Sequence, residues 1–305
     1  MKYAKISNDE SFASMAELQA LANQEVHFLT GVGLYAIPVQ GVARRSSTVK
    51  VSGEVIAISH DPKEINDSIR GKCFSIYPDV ILGKDKDLFN SLYLESLRGV
   101  RTSRSCPKLD LIFTDGVILA GLREEERDNR SLVLHSKKPF SQSGTMDPYT
   151  SRLMVNLSRP KGKVLDPFLG LGSILIEARW LGNQCVGLDA DVKMINKAKI
   201  NLDYFNYVCE VAQGSATSLP IEGKFTIVTD PPYGRSSNAK GVKLLDLYQG
   251  FLSEVAEILD GRLVFAADSS VDWRDTIRSA GLRTRCVHFL YEHKSLSRAI
   301  YVVER

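Results

Sequence analysis

The chain has 305 residues, 44% of them hydrophobic and 25% charged, which suits about two domains of ~100 to 200 residues each and excludes native disorder. Its 39 basic and 36 acidic side chains leave a net charge of +3, too balanced to mark a nucleic-acid binder by composition, so any basic surface must be local. No segment reaches the ~18 uninterrupted apolar residues of a membrane span, and Lys2 and Lys5 run into polar Ser7-Asn8-Asp9-Glu10 rather than an apolar signal region, so the expected compartment is the cytoplasm.

At the N-terminus, Asn8 or Asp9 can cap a helix whose Phe12, Met15, Leu18, Leu21 and Ala22 form an apolar stripe. Alternation follows in Thr48-Val49-Lys50-Val51-Ser52, and residues 1–60 are predicted as a small α+β unit. Residues 61–108 are less regular. Leu109 to Thr114, Asp115-Gly116 and Val117 to Ala120 then give a hairpin signal, the Asp-Gly pair supplying the positive φ of its turn. The charge run Arg123 to Asp128 is predicted as a solvated loop or helix face. Basic residues cluster at Arg44, Arg45 and Lys50, at Arg98, Arg101, Arg104 and Lys108, and at Lys137 and Lys138. Any one cluster is equally a solvated surface, but three together favour phosphate contacts by Arg44, Arg45, Arg101, Arg104, Lys137 and Lys138. The five cysteines, Cys73, Cys106, Cys185, Cys209 and Cys286, are odd in number and lack a C-x-x-C pair, so neither a disulfide framework nor a metal site is expected, and a reducing compartment fits.

From Met146 the pattern changes to alternating strands and helices, with strands at Lys163 to Asp166, Cys185 to Asp189, Phe225 to Asp230 and Arg262 to Ala267. This alternation predicts an α/β fold with a doubly wound, mostly parallel sheet. In Val164-Leu165-Asp166-Pro167-Phe168-Leu169-Gly170-Leu171-Gly172 a strand ends in an acid and a Gly-x-Gly turn opens a helix. A dinucleotide fingerprint needs a third glycine where Leu175 stands, which disfavours NAD. A ligand with an ammonium end and a ribose fits better: Asp166 pairs with the ammonium, Gly170 and Gly172 allow close backbone approach beside Phe168, and Asp189 accepts from ribose hydroxyls. S-adenosylmethionine satisfies both ends. Ser215, in Gly214-Ser215-Ala216 after a third strand, is the candidate adenine contact.

Asp230-Pro231-Pro232-Tyr233-Gly234 follows the apolar strand Phe225 to Thr229 and should lie at the same sheet edge. The exocyclic amino group of a base is a poor nucleophile because its lone pair is delocalised into the ring. Acceptors for its two hydrogens, the Asp230 carboxylate and the Pro231 carbonyl, turn the nitrogen toward tetrahedral geometry and stabilise the charge that develops there. Pro231 and Pro232 stiffen the loop, and Tyr233 can stack on an extracted base. Guanine N2, adenine N6 and cytosine N4 all suit these groups. The alternatives are therefore a DNA amino-methyltransferase with the same loop and, in a different class, an inactive RNA-binding or assembly protein that retains the fold.

These motifs, together with His135 to Phe140, Met146-Asp147-Pro148 to Asn156-Leu157, Glu177-Ala178, Arg235-Ser236-Ser237, Lys240-Gly241 and His293 to Arg298, resemble the archaeal tRNA guanosine-10 N2-methyltransferases. Those enzymes are relatives of a eukaryotic enzyme that works with a small zinc-binding activator subunit. The resemblance covers 135–305 closely and the N-terminal half in outline. It implies a ferredoxin-like unit (1–60), a THUMP domain that grips tRNA (61–134) and a Rossmann-like S-adenosylmethionine-dependent methyltransferase domain (135–305). It also implies methylation of guanosine N2, once or twice, with tRNA and an activator subunit as partners. Leu171, Ser173 and Ser215 depart from the family pattern, the last at the adenine contact. His135 and His293 are read as structural, since N2 methylation needs little base catalysis.

Overall fold

The Asp115-Gly116 turn forms as its residues require, with φ of 49° and 74°, and the Asp115 carboxylate accepts from the backbone N–H (2.6 Å) and the hydroxyl (2.9 Å) of Thr30. The computed structural model describes residues 1–7, 11–81, 86–234, 244–293 and 296–305. Asn8 and Asp9, the expected helix cap, and the stretches 235–243 and 294–295 lie outside the described residues. The chain divides into two units, Met1–Asp128 and Asn129–Arg305.

The N-terminal unit runs β1 (Lys2–Ile6), α1 (Ser11–Ala22), β2 (His27–Leu29), β3 (Val32–Tyr35), α2 (Val42–Arg45), β4 (Val49–Ser59), α3 (Pro62–Ile69), β5 (Cys73–Val80), α4 (Lys86–Ser96), β6 (Arg101–Thr102), β7 (Lys108–Thr114) and β8 (Val117–Glu126). Its strands form one sheet in the order β2-β3-β1-β4-β8-β7-β5-β6. The long strand β4 pairs with β1 on one side and β8 on the other, so the regions expected as separate domains, 1–60 and 61–134, share a sheet. Each keeps a core of its own: Leu18 and Ala22 of α1 pack with Ala4, Ile6 and Val49, and Ile65 and Ile69 of α3 pack with Phe74, Leu109 and Leu111.

Phe12 departs from the expected stripe and is 79% exposed. Six residues before Leu18, at ~100° per residue, it sits roughly 120° around the helix from the buried centre. On the same helix Glu17 is fully buried and accepts from the hydroxyls of Ser46, Ser47 and Thr48 and the backbone N–H groups of Ser47 and Thr48, joining α1 to the start of β4. The charge run is not a solvated loop or helix. Arg123 to Glu126 continues β8, because Arg123 pairs with buried Asp110 and with Glu126 and lies 4.1 Å from the Tyr77 ring centre.

The expectation of no disulfides is overturned: Cys73 is bonded to Cys106 and Cys185 to Cys209, leaving Cys286 free. Strand register explains both. Parallel β5 and β7 pair Ser75 with Lys108, so two residues earlier Cys73 faces Cys106. A parallel pair in the C-terminal unit sets Val186 opposite Glu210, which places Cys185 beside Cys209. The scatter of cysteines therefore gives no ground for a reducing compartment. Alkylation of the unfolded, unreduced chain should label one thiol and of the reduced chain all five. Five labels before reduction, counted by intact mass, would contradict the pairing.

The C-terminal unit comprises α5 (Asn129–His135), α6 (Pro148–Ser158), β9 (Val164–Asp166), α7 (Ser173–Trp180), β10 (Cys185–Asp189), α8 (Val192–Tyr204), β11 (Glu210–Gln213), β12 (Phe225–Thr229), α9 (Leu244–Ile258), β13 (Leu259–Asp268), α10 (Arg274–Ser279), β14 (Arg283–His293) and β15 (Leu296–Glu304). It starts at Asn129 rather than 135, because α5 belongs to it: Ser131 accepts from Arg152 of α6, and His135 bonds Glu177 of α7. The sheet order is β11-β10-β9-β12-β13-β15-β14. The first five strands are parallel and β15 runs against both of its neighbours. This is the expected doubly wound α/β sheet. Tyr248, Phe251, Leu252 and Val255 of α9 pack on one face with Leu165, Ile227 and Phe265, while Leu175 and Ile176 of α7 pack with Ala198 and Leu202 of α8 in a second core. Among the described residues no helix is long and apolar enough to cross a membrane.

Candidate active site

Strand order reverses between β9 and β12, and in such sheets a crevice opens beyond the carboxyl ends of the two strands. Asp166 ends β9 and Asp230 follows β12 directly, so both acids stand at that crevice. Asp166 is 1% exposed and accepts from the Thr229 hydroxyl at 2.6 Å and the Phe168 N–H at 3.2 Å. Burial pushes its carboxyl up to about 7 despite those two donors, and the neighbouring charges of Asp230 and Asp189 act in the same direction. The turn that follows needs its glycines for their backbone: Gly170 has φ 52° and Gly172 has φ 81° at the start of α7. Phe168 is half-buried, its ring edge-on to Phe251 at 5.3 Å, so it shapes the wall below the turn.

Asp189 ends β10 with one oxygen accepting from Gly170 N–H (2.9 Å) and the other from Asp191 N–H (2.8 Å), and burial raises its pKa. It is bonded to the Gly-x-Gly turn itself. Gly214 N–H donates to the Asp189 carbonyl at 3.1 Å, bringing Ser215 to the same edge, but there the Ser215 hydroxyl bonds Thr217 at 2.9 Å. The residues proposed for a cofactor are thus brought together, with Ser215 engaged in its own turn.

In the Asp230 to Tyr233 loop Pro231 is buried, and Asp230, Pro232 and Tyr233 are half-buried. Tyr233 does more than offer a ring. Its hydroxyl donates to Asp230 Oδ1 at 2.5 Å and accepts from Arg298 Nε at 2.8 Å. Arg298 and Thr229 were not singled out as site residues from sequence. Arg298 lies in the His293 to Arg298 segment of the family resemblance, and Thr229 ends the strand leading to the loop, but neither carries a spacing signal of its own.

Behind the glycine turn, Glu177 of α7 is 1% exposed and bonds both His135 Nδ1 (2.5 Å) and Arg152 Nε (2.6 Å), while the Arg152 guanidinium lies 3.6 Å from the Trp180 ring centre. His135, 1% exposed, occupies the structural position expected of it, and burial lowers its pKa. Glu177→Ala leaves the fully buried Arg152 without its carboxylate and should cost about 3 to 5 kcal/mol of stability, read by denaturant unfolding. A cost below about 1 kcal/mol would mean the pair contributes no more than a surface ion pair.

Of the expected phosphate contacts, Arg44, Arg45, Arg101, Arg104 and Lys137 are exposed. Lys138 is not: it is 7% exposed, with burial lowering its pKa and Glu177 and Asp147 opposing that shift, so it does not present a charge to a surface ligand.

Residues 135–298 match the family model described as RMKL-like, methyltransferase domain. A tRNA (guanine(10)-N2)-dimethyltransferase of Pyrococcus abyssi is 34% identical over 194 residues, 62% of this chain and 58% of that protein. One from Methanothermobacter thermautotrophicus is 37% identical over 181 residues, 55% of this chain and 52% of that protein. The matched segments thus span between half and three-fifths of these relatives. Among solved structures, TrmN from Thermus thermophilus covers 100% of this chain and 99% of its own, with TM-score 0.52 and 18% identity. A predicted N6-adenine-specific DNA methylase from Listeria monocytogenes str. 4b F2365 covers 99% of this chain and 95% of its own, with TM-score 0.51 and 12% identity. At those identities the likeness is one of fold. The family model spans more than half of the chain and contains both the glycine turn and the Asp230 loop, so the chain belongs to the RMKL-like methyltransferase domain family.

Proposed function

We propose that this protein uses S-adenosylmethionine to methylate the exocyclic N2 of guanosine in tRNA, at position 10, once or twice. The observation that carries the reading is the placement of Asp230 directly across the strand reversal from Asp166, so that acceptors for an amino group and a carboxylate for a cationic cofactor share one crevice. The choice of guanosine in tRNA is supported by the 34% and 37% identical relatives.

The residues fit the cofactor. Asp166 is a buried carboxylate whose charged neighbours Asp189 and Asp230 disfavour its ionisation, and a ligand ammonium reverses that balance. Asp189 stands beside the glycine turn, where its carboxylate can take ribose hydroxyls. S-adenosylmethionine, when bound, supplies an electrophilic methyl on a sulfonium. The chain's own groups do the rest: Asp230 and the Pro231 carbonyl accept the two amino hydrogens, orient the nitrogen lone pair and stabilise its developing charge, and the Tyr233 ring supports the base. Exposed Arg44, Arg45, Arg101, Arg104 and Lys137 serve as phosphate contacts for tRNA in the cytoplasm.

Nucleoside mass spectrometry of tRNA incubated with the protein and cofactor tests this. N2-methylguanosine or its dimethylated form at position 10 is the expected product. Methylated adenine or cytosine in duplex DNA, with none in tRNA, would favour a DNA amino-methyltransferase, and no cofactor binding by calorimetry would favour an inactive RNA-binding protein. A small zinc-binding activator subunit belongs to the same reading; full turnover by the isolated chain would remove it.

A further inference from the structure

We infer that Arg298 is a positioning residue for the methyl-acceptor site, acting through the Tyr233 hydroxyl on Asp230. The inference rests on the methyl-transfer reading above and adds a residue to it. Topology brings Arg298 there: β13 runs parallel to β12, and β15 runs back against β13 with Arg298 opposite Asp268, at the sheet edge where the catalytic loop begins.

The chemistry of the three groups gives the chain of hydrogen bonds a fixed direction. A guanidinium has donors and no acceptor, so the Tyr233 oxygen must accept from Arg298 Nε. The single hydroxyl hydrogen is then directed away from the arginine and onto Asp230 Oδ1. Arg298 is 4% exposed, and its guanidinium lies 6.0 Å from the Tyr233 ring centre, at a distance set by the hydroxyl contact rather than by stacking on the ring.

Two consequences follow for the acceptor base. The ring plane of Tyr233 is fixed from its far end, so the stacking surface is in place before a base arrives. Asp230 Oδ1 accepts the tyrosine hydrogen, and since a carboxylate has about four lone-pair sites, that one bond does not exhaust it as an acceptor. Without Arg298 the Tyr233 hydroxyl keeps its bond to Asp230 but loses the donor that fixes its direction, and the ring loses a restraint that the Asp230 to Tyr233 motif does not supply.

A double-mutant cycle tests this, with single-turnover methyl transfer to tRNA at saturating S-adenosylmethionine for the unsubstituted chain, Arg298→Met, Tyr233→Phe and the double variant. Each single variant should slow transfer about ten-fold, the effect of losing one hydrogen bond to a charged group. Because both act on one chain of bonds, the double variant should be within about two-fold of the slower single one. Cofactor affinity by calorimetry should be unchanged in all four. If Arg298→Met does not fold, Arg298→Lys in the same two backgrounds replaces it. A role of Arg298 confined to packing its strand would make the effects multiply to about a hundred-fold, and that result, or full-rate transfer by Arg298→Met, overturns the inference. Absence of transfer by the unsubstituted chain, also when the zinc-binding activator subunit is added, would remove the methyl-transfer reading itself and this inference with it.

Discussion

Asp230→Ala should slow methyl transfer by about 10² to 10³-fold while leaving S-adenosylmethionine affinity within a few-fold of its starting value. The split follows from the position of the side chain. Asp230 lies beyond β12 with its carboxylate bonded to Tyr233, whereas the cofactor groups stand at the ends of β9 and β10. Alanine removes the acceptor for an amino hydrogen and leaves the Tyr233 hydroxyl without its acceptor, so both orientation of the base nitrogen and support of its developing charge are lost. Neither loss removes a group from Asp166 or the glycine turn, and losing the Asp230 charge favours the ionised form of Asp166. Asp230→Asn, which keeps a carbonyl acceptor but no charge, should fall between alanine and the original residue. Single-turnover transfer of a labelled methyl, paired with calorimetry, reads both quantities, and unchanged turnover of the alanine variant would remove Asp230 from the catalytic set.

Asp166→Asn is expected to weaken S-adenosylmethionine binding by about 10²-fold, because truncating one member of a buried charge pair typically costs 2 kcal/mol or more, by order of magnitude. A pH dependence goes with it. In the ligand-free protein the Asp166 carboxyl titrates at about 7. A ligand ammonium requires the ionised form, so affinity should fall up to about ten-fold for each pH unit below 7, and the asparagine variant should lose that slope. Stability responds with the opposite sign. The folded pKa is raised above the unfolded value of 3.8, so the folded chain binds the extra proton; this contribution is fully present below about pH 4 and lost as pH rises through 7. At pH 8 the ligand-free asparagine variant should therefore be more stable than the original, with an upper bound on the order of 4 kcal/mol. Calorimetric titration and thermal unfolding at pH 6 and pH 8 measure both effects. Equal affinity at the two pH values would show that Asp166 does not hold the ligand's cation.

The doubly wound sheet was legible because β9, β10 and β12 are short, mostly apolar runs that end at or just before an acid, with helices between. Asp166, Asp189 and Asp230 were legible for the same reason: each lies at a carboxyl end that the alternation of elements already fixes. What could not be seen depends on register. Cys73 and Cys106, or Cys185 and Cys209, face each other only because two parallel strands align with one particular offset. Arg298 reaches Tyr233 only because β15 returns antiparallel to β13, toward the edge that carries Asp230. Glu17 and Lys138 were hidden differently. A charged side chain carries no mark in sequence of whether the fold buries it, and both are buried here against partners distant in the chain. The continuation of β8 through Arg123 to Glu126 misleads in the same way, since ion pairing with Asp110 replaces the apolar alternation that a strand usually shows.

The crosslink between Cys185 and Cys209 has a consequence for how the sheet can deform. It closes the amino-terminal ends of β10 and β11, whereas Asp189 and Ser215 follow the carboxyl ends of the same strands. The pair is thus clamped like the hinge of a pair of tongs, with the open end at Asp189 and Gly214. Splaying of β11 away from β10 is restricted at the root, which leaves freedom of movement to the far ends, where the turns carrying Gly170, Asp189 and Gly214 are tied together by hydrogen bonds alone.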